Sequence, residues 1–317
     1  MDYIQLLGGL VYLLMGGDFL VRGAVALARR AHVSPLIVGL TVVSFGTSLP
    51  ELVVSVQAVL AGYTGMAIGN VVGSNIANVL LVAGAPAIAY PLVCDRGFER
   101  HNASIMLGAS IFFVVLCLVG ELNQLAGVVL LTGFVAIMAY TLWAGARARR
   151  GIEQVSQMEW VLGLPNKTSM ISLFIAVGAV GLPVGARLMV EAAVGVSAQL
   201  GISDAVIGLT IVAVGTSLPE LATAFVAVVR RETEVAVGTV TGSCVFNILA
   251  IMGVATLVSR SPIPVPGGFA TLDLPVMLGA AFALALLVWF RRSIGRAAGI
   301  AFVAGYCAYL VALVGGA

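Results

Sequence analysis

A six-residue motif stands twice in this chain inside long apolar sequence, as Gly46-Thr47-Ser48-Leu49-Pro50-Glu51 and, 169 residues later, as Gly215-Thr216-Ser217-Leu218-Pro219-Glu220. Each copy puts one carboxylate and one helix-breaking proline into the interior of a stretch long enough to cross a bilayer. The same offset runs on without a gap. Gly39-Leu40-Thr41 falls on Gly208-Leu209-Thr210, Leu52 on Leu221, Gly69 on Gly238, and Gly73-Ser74 with Asn78 on Gly242-Ser243 with Asn247. Even Asp18 and Arg22 fall on Arg187 and Glu191, an i,i+4 ion pair with its sign reversed. The chain therefore reads as one duplicated unit, and the duplicated carboxylate implies a site shared between two related halves.

The medium of that unit is the bilayer. Hydrophobic residues make up 61% of the chain and charged residues 9%, with a mean hydropathy of +1.12, whereas soluble domains carry about 25% charged residues. An all-α polytopic membrane protein is expected. Its 38 glycines suit close packing of membrane helices through small residues. Cys94, Cys117, Cys244 and Cys307 lack metal-ligand spacing and are expected as packing residues. The first apolar stretch is longer than a signal-peptide core and is expected as a membrane helix.

Apolar runs of about 20 residues lie near 3–28, 34–60, 66–90, 103–120, 125–146, 171–198, 204–229, 235–258, 271–290 and 294–315. Ten transmembrane helices, five in each half, are expected. An odd number per half makes the second half enter from the opposite side, so the repeat becomes an inverted-topology repeat. The division is 1–146 for the first five-helix repeat, 147–170 for a cytoplasmic linker and 171–317 for the second.

Alternate loops hold Arg29, Arg30, Arg96, Arg100, Arg147, Arg149, Arg150, Lys167, Arg230, Arg231, Arg291, Arg292 and Arg296, against Arg260 alone on the other side. The positive-inside rule then makes the basic loops cytoplasmic and puts both termini outside a cell inner (plasma) membrane. Trp143, Trp160 and Trp289 fall near the expected interfaces as anchors.

Most of the 14 acids fall in loops or at span ends, and Asp18 and Glu191 have an Arg one turn away, which reads as structural ion pairing. Glu51 and Glu220 alone are central and without a basic neighbour on their helix. A charge at the bilayer centre costs at least about 2.5–3.5 kcal/mol, so such an acid marks a functional site by default. Two that meet repel unless a cation or proton joins them.

Pro50 and Pro219 lack an N–H and so leave helix carbonyls without their usual donor, which is tolerated at membrane depth only where protein, water or an ion satisfies them. Hard cations such as Ca²⁺ take six to eight oxygens of mixed type. Ser74 with Asn78, and Ser243 with Asn247, add further oxygens at i,i+4 on one helical face.

At these residues the chain resembles the cation/Ca²⁺ exchanger superfamily, within its Na⁺/Ca²⁺ exchanger branch and close to the small prokaryotic members. Residues 46–51 with Gly73-Ser74-Asn75-Ile76-Ala77-Asn78 are similar to the first alpha repeat, and 215–247 to the second. The resemblance implies broken second and seventh helices packed against the third and eighth around a diamond of cation sites. It implies that Glu51 and Glu220 bind Ca²⁺ and share Na⁺, and that Thr47 and Thr216 offer main-chain carbonyls. Ser48, Ser217, Ser74 and Ser243 would offer hydroxyls, Ser44 and Ala213 carbonyls to flanking Na⁺ sites, and Asn78 and Asn247 would complete the centre. Some similar members carry Asp where this chain has Asn247, which leaves two formal negative charges here, enough for one Ca²⁺ or two Na⁺. The long first and sixth helices would slide as a gating pair, with Gly16, Gly17, Gly178 and Gly181 permitting close contact.

The resemblance implies a secondary antiporter driven by Na⁺, with the lipid bilayer as surroundings, Ca²⁺ and Na⁺ as transported ions, no cofactor, no nucleic acid and a functional monomer. The alternative is a H⁺-coupled exchanger of Ca²⁺ or another divalent cation, although proton-coupled relatives usually carry a Gly-Asn-Ala-Glu type motif instead. A passive channel is a third class, and no oligomeric or open polar pore stripe is visible for it. No P-loop, Gly-x-Ser-x-Gly or metalloprotease signature is present, so an enzyme is not expected.

Overall fold

The structure, a computed structural model, describes residues 2–93, 98–148, 164–199, 213–265, 267–290 and 293–315. Most of the expected linker, residues 204–212 of the expected seventh span, Cys94 and Trp160 lie outside the described residues.

The chain is helical nearly throughout. Helix α1 (Asp2–Ala31) leads to a broken span made of α2 (Pro35–Val38), a π-helical segment (Gly39–Val43), α3 (Ser44–Thr47) and α4 (Leu49–Leu60). Helix α5 (Thr64–Ala77) runs through a second π segment (Asn78–Ala83) into α6 (Gly84–Ala89), followed by α7 (Phe98–Leu118), α8 (Gln124–Ala148) and α9 (Thr168–Gln199). Another break separates α10 (Ala213–Thr216) from α11 (Leu218–Val229). Helix α12 (Thr233–Val245), a third π segment (Phe246–Ile251), α13 (Met252–Val258), α14 (Asp273–Phe290) and α15 (Arg296–Gly315) complete the chain.

Eight helical spans among the described residues are long and apolar enough to cross a membrane. The pair Pro35–Thr47 and Leu49–Leu60, bent by 46°, makes a ninth, and Leu218–Val229 is a shorter apolar helix. Burial ranks them. The apolar window of Thr233–Val258 is 100% buried and that of Thr64–Ala89 78%, against 22% for Gln124–Ala144, Thr168–Ala192 and Arg296–Leu313. The two helices bearing the Ser-x-x-x-Asn pairs are thus the centre of the molecule, with more exposed helices around them.

Glycine sets the tightest crossings. A methyl group at Gly238 on α12 would sit 2.6 Å from the Leu36 carbonyl oxygen, and one at Gly242 would overlap Ser44 Oγ and the Leu40 backbone. The α2–π segment can cross α12 closely only because these two side chains are absent. Helices α1 and α9 lie together along their length. Gly16 meets Leu182 and Gly181, Gly178 meets the Gly16 carbonyl and Leu20, and Gly17 faces Ala222 and Val226 of α11.

Asp18 and Arg22 pair at 3.3 Å and Arg187 and Glu191 at 2.7 Å, as expected. Arg230, which follows the end of α11, reaches back to pair with Asp18 as well, a partner its loop position does not reveal. Arg22 also lies over the Phe174 ring of α9, 5.0 Å from its centroid. Cys117 and Cys244 are buried, whereas Cys307 is exposed and packs no core. Beside α1, burial holds the Glu232 carboxyl above the usual carboxylate range, with Arg29 opposing the shift.

The all-α expectation omits two short antiparallel ladders. Strand β1 (Leu92–Val93) pairs with β4 (Ser293–Ile294), and β2 (Glu121–Leu122) pairs with β3 (Ile263–Pro264). Two-residue strands of this kind give no periodic signal to read in advance.

Candidate functional site

Proline fixes the two helix breaks. Pro50 and Pro219 occupy the second positions of α4 and α11, where a missing N–H costs nothing. The residue before each outgoing helix leaves helical geometry in the same way, Ser48 at φ −93°, ψ 9° and Ser217 at φ −89°, ψ 3°. The Ser48 N–H closes the incoming turn on the Ser44 carbonyl at 3.0 Å, and Leu52 and Leu221 start the outgoing helices on the Ser48 and Ser217 carbonyls at 3.2 and 3.0 Å. Glu51 and Glu220 consequently sit in the first turns of two twelve-residue helices, at the end where the helix dipole favours negative charge. Each is only 1% exposed.

The two breaks meet, because Ser48, three residues before Glu51, reaches the Glu220 carboxylate. Ser48 donates to Glu220 Oε1 at 2.8 Å, and the Ser48 and Ser243 hydroxyls lie 3.1 Å apart. A hydroxyl has one proton, so Ser243 donates to Ser48 while Ser48 donates to Glu220. That relay joins α12 to both broken spans.

Several neighbouring polar atoms have no partner. Oε2 of Glu51, Oε2 of Glu220, Oγ of Ser217 and both amide atoms of Asn78 and of Asn247 are buried without a hydrogen bond. Helix α11 packs on the π segment that begins at Asn78, and α4 packs on the one that contains Asn247. Buried polar atoms are nearly always hydrogen-bonded. Such atoms, carried on segments packed against the two carboxylate-bearing helices, mark an oxygen-rich place chemically suited to a cation.

The remaining expected residues divide. Thr47 and Ser74 are buried beside this cluster's helices, and Thr216 is half-buried in the last turn of α10. Ser44 already has partners within the protein. Its hydroxyl donates toward the carbonyls of Gly39 at 2.8 Å and Thr239 at 3.1 Å, and its own carbonyl accepts from the Ser48 N–H and from Thr47 Oγ1 at 3.3 Å. Ala213 opens α10, and the residues before it lie outside the described ones.

Three features are not evident from the motifs alone. The second and third π segments begin at or beside the site asparagines, and such insertions are frequent at functional sites. Asn70 donates to the Glu51 carbonyl oxygen at 3.2 Å and to Ser55 Oγ at 2.9 Å. Its spacing carries a signal, since Asn70, Ser74 and Asn78 stand at i, i+4 and i+8 on one face. Cys244 Sγ lies 4.0 Å from the Asn75 carbonyl oxygen, a contact between positions 169 residues apart.

The family described as Sodium/calcium exchanger protein matches residues 2–143 and 170–315. The chain is 34% identical over 312 residues to a putative antiporter CaxA of Alkalimonas amylolytica, covering 98% of this chain and 96% of that one. It is 31% identical over 347 residues to the sodium/calcium exchanger MaX1 of Methanosarcina acetivorans, covering 98% of each. Its fold is similar to a solved structure of the sodium-calcium exchanger NCX_Mj soaked with 2.5 mM Na⁺ and 0.1 mM Ca²⁺, with a TM-score of 0.83, 32% identity and 98% of both chains covered.

Proposed function

The chain belongs to the sodium/calcium exchanger family, a multi-pass membrane cation/Ca²⁺ exchanger and not an enzyme, and from that premise we propose that it is a secondary active antiporter in which inward Na⁺ drives outward Ca²⁺. The observation that carries this reading is the pair of buried carboxylates, one from each equivalent helix break, each with an unpaired oxygen, together with the buried and unpaired oxygens of Ser217, Asn78 and Asn247. Two carboxylates neutralise one Ca²⁺ or two Na⁺, so alternate occupancy by the two ions keeps the charge of the loaded site constant. That equality is what an exchanger needs.

In this reading Glu51 and Glu220 bind Ca²⁺ and share Na⁺, while Ser48, Ser217, Ser74 and Ser243 present hydroxyls. Thr47 and Thr216 give main-chain carbonyls at the helix breaks, Ser44 and Ala213 face flanking Na⁺ sites, and Asn78 and Asn247 complete the centre. Helices α1 and α9 slide as a pair to expose the site to one side and then the other.

We also propose ten spans arranged as two inverted five-helix repeats, 1–146 and 171–317, joined by a cytoplasmic linker at 147–170. Three observations support this. The breaks at Ser48 and Ser217 share one backbone geometry. Asn75 and Cys244, equivalent in the two repeats, meet each other, as residues on a two-fold axis do. Exchanging the halves carries the β1–β4 ladder approximately onto the β2–β3 ladder.

The contacts between loops also suit the charge-based sidedness, with both termini outside the inner (plasma) membrane. Arg30 meets the carbonyl of Asn166, Ser34 meets Glu234, and Thr233 meets the carbonyl of Val93, each joining segments assigned to the cytoplasm. The working unit is a monomer in lipid, with no cofactor.

A second reading, H⁺-coupled exchange, draws on the same pair of buried carboxylates, because a proton can join two carboxylates as a cation does. Uptake of ⁴⁵Ca²⁺ into proteoliposomes loaded in turn with Na⁺, K⁺ or acid separates the two. Uptake with Na⁺ loading alone supports the first reading, and uptake with acid loading alone supports the second.

A further inference from the structure

We propose that Asn70 is a positioning residue that clamps the Glu51 turn to α5 and thereby sets the affinity of the site for Ca²⁺. The inference rests on the reading of Glu51 as a cation ligand. It comes from an asymmetry between halves that are otherwise built alike.

The Asn70 amide nitrogen carries two hydrogens and uses both, one on the Glu51 carbonyl oxygen at 3.2 Å and one on Ser55 Oγ at 2.9 Å. Ser55 is fully buried one turn beyond Glu51. The two acceptors therefore lie on the same face of α4, and a single side chain from α5 holds both ends of the turn that carries the carboxylate. Asn70 stands one turn before Ser74 of α5 and two turns before Asn78, which begins the following π segment, so the clamp ties Glu51 to the segment that bears other groups assigned to the site.

The second half lacks this device. Ala224 stands at the place equivalent to Ser55 and Thr239 at the place equivalent to Asn70. Thr239 turns its hydroxyl back along its own helix, onto the Val235 carbonyl at 2.8 Å. Glu220 is held instead at its carboxylate, by Ser48 from the other half. One carboxylate is thus fixed through its backbone and the other through its side chain. A site that must present several oxygens at one spacing gains affinity when its ligands are held in place before the ion arrives, and the clamp supplies that for Glu51.

The test transplants the second half's residues into the first. Asn70→Thr combined with Ser55→Ala is expected to raise the half-saturating Ca²⁺ concentration about fivefold, the usual worth of one hydrogen bond, with maximal Na⁺-driven ⁴⁵Ca²⁺ flux within about twofold of the unmodified protein. Ser55→Ala alone, which keeps the bond to Glu51, is expected to give a smaller rise. An unchanged half-saturating concentration, or maximal flux and melting temperature falling together without a change in it, would show mere helix packing and overturn the clamp. Should the double variant not accumulate in membranes, Asn70→Asp, of the same size and without the donor, takes its place in the same assay: a raised half-saturating concentration supports the clamp and an unchanged one overturns it. Glu51→Gln is run alongside. Full flux in that variant would remove the underlying reading of Glu51, whereas a dead Glu51→Gln beside a double variant of normal affinity would remove the clamp alone.

Discussion

The hydroxyl of Ser48 donates a 2.8 Å hydrogen bond to Oε1 of Glu220, a carboxylate from the opposite sequence repeat. The two copies of the motif therefore complete one another. The first supplies the donor that orients the second's acid, and Ser243 of α12 in turn supports Ser48. A hydrogen bond to a charged group contributes about 1.5–3 kcal/mol. Ser48→Ala should accordingly weaken Ca²⁺ activation of transport by roughly tenfold or more, measured as the half-saturating concentration in proteoliposomes. An unaltered value would mean that Ser48 neither orients Glu220 nor meets the ion.

Asp18 anchors α1 to the end of α11 through Arg230 while also holding Arg22. All three side chains are between 20% and 27% exposed, so the network is sheltered enough to matter without being fully desolvated. Asp18→Asn should cost about 1 kcal/mol and lower the melting temperature in detergent by a few degrees. Glu191→Gln, which breaks the exposed counterpart pair with Arg187, should leave it unmoved. Equal melting temperatures for the two variants would deny Asp18 its added partner.

Both asparagines at the centre are buried and without hydrogen bonds, so Asn247 tests how charge is balanced there. If the position serves as a neutral polar group, Asn247→Asp should still exchange Na⁺ for Ca²⁺, but only with the new carboxyl protonated, so flux should fall as pH rises. The reversal potential at fixed pH should match that of the unmodified protein. A shifted potential would mean instead that residue 247 sets the number of Na⁺ moved per Ca²⁺.

Sidedness is open to direct labelling. Single cysteines placed in the loops at 29–32, 96–101, 147–167, 230–231 and 291–296 should react with impermeant reagents only from the cytoplasmic side. Labelling from outside intact cells at any two of them would invert the topology.

Much of the helical fold, and the residues proposed for the site, are legible in the sequence because they are written in local residue types. Apolar length marks the spans, and Pro50 and Pro219 mark the breaks that the structure has at Ser48 and Ser217. Residues Glu51, Glu220, Asn78 and Asn247 stand out as chemistry in an apolar setting, and they prove to be buried with unpaired atoms. What the sequence does not disclose depends on pairings between distant residues. Arg230 reads as a loop cation because Asp18 is 212 residues away. Ser55 reads as an ordinary small residue because its partner Asn70 lies on the next helix. The π segments at Asn78–Ala83 and Phe246–Ile251 are shifts in backbone hydrogen-bond register, which no residue type encodes alone.

The most direct test of the central claim is ⁴⁵Ca²⁺ uptake into Na⁺-loaded proteoliposomes by the unmodified protein, Glu51→Gln and Glu220→Gln, each checked for folding by its elution and melting temperature. The substitution keeps the shape of the side chain and removes the charge and bidentate oxygens that a hard cation needs. The expected result is Na⁺-dependent uptake by the unmodified protein and none by either folded variant. Uptake at the unmodified rate by either variant would contradict a cation site shared between Glu51 and Glu220.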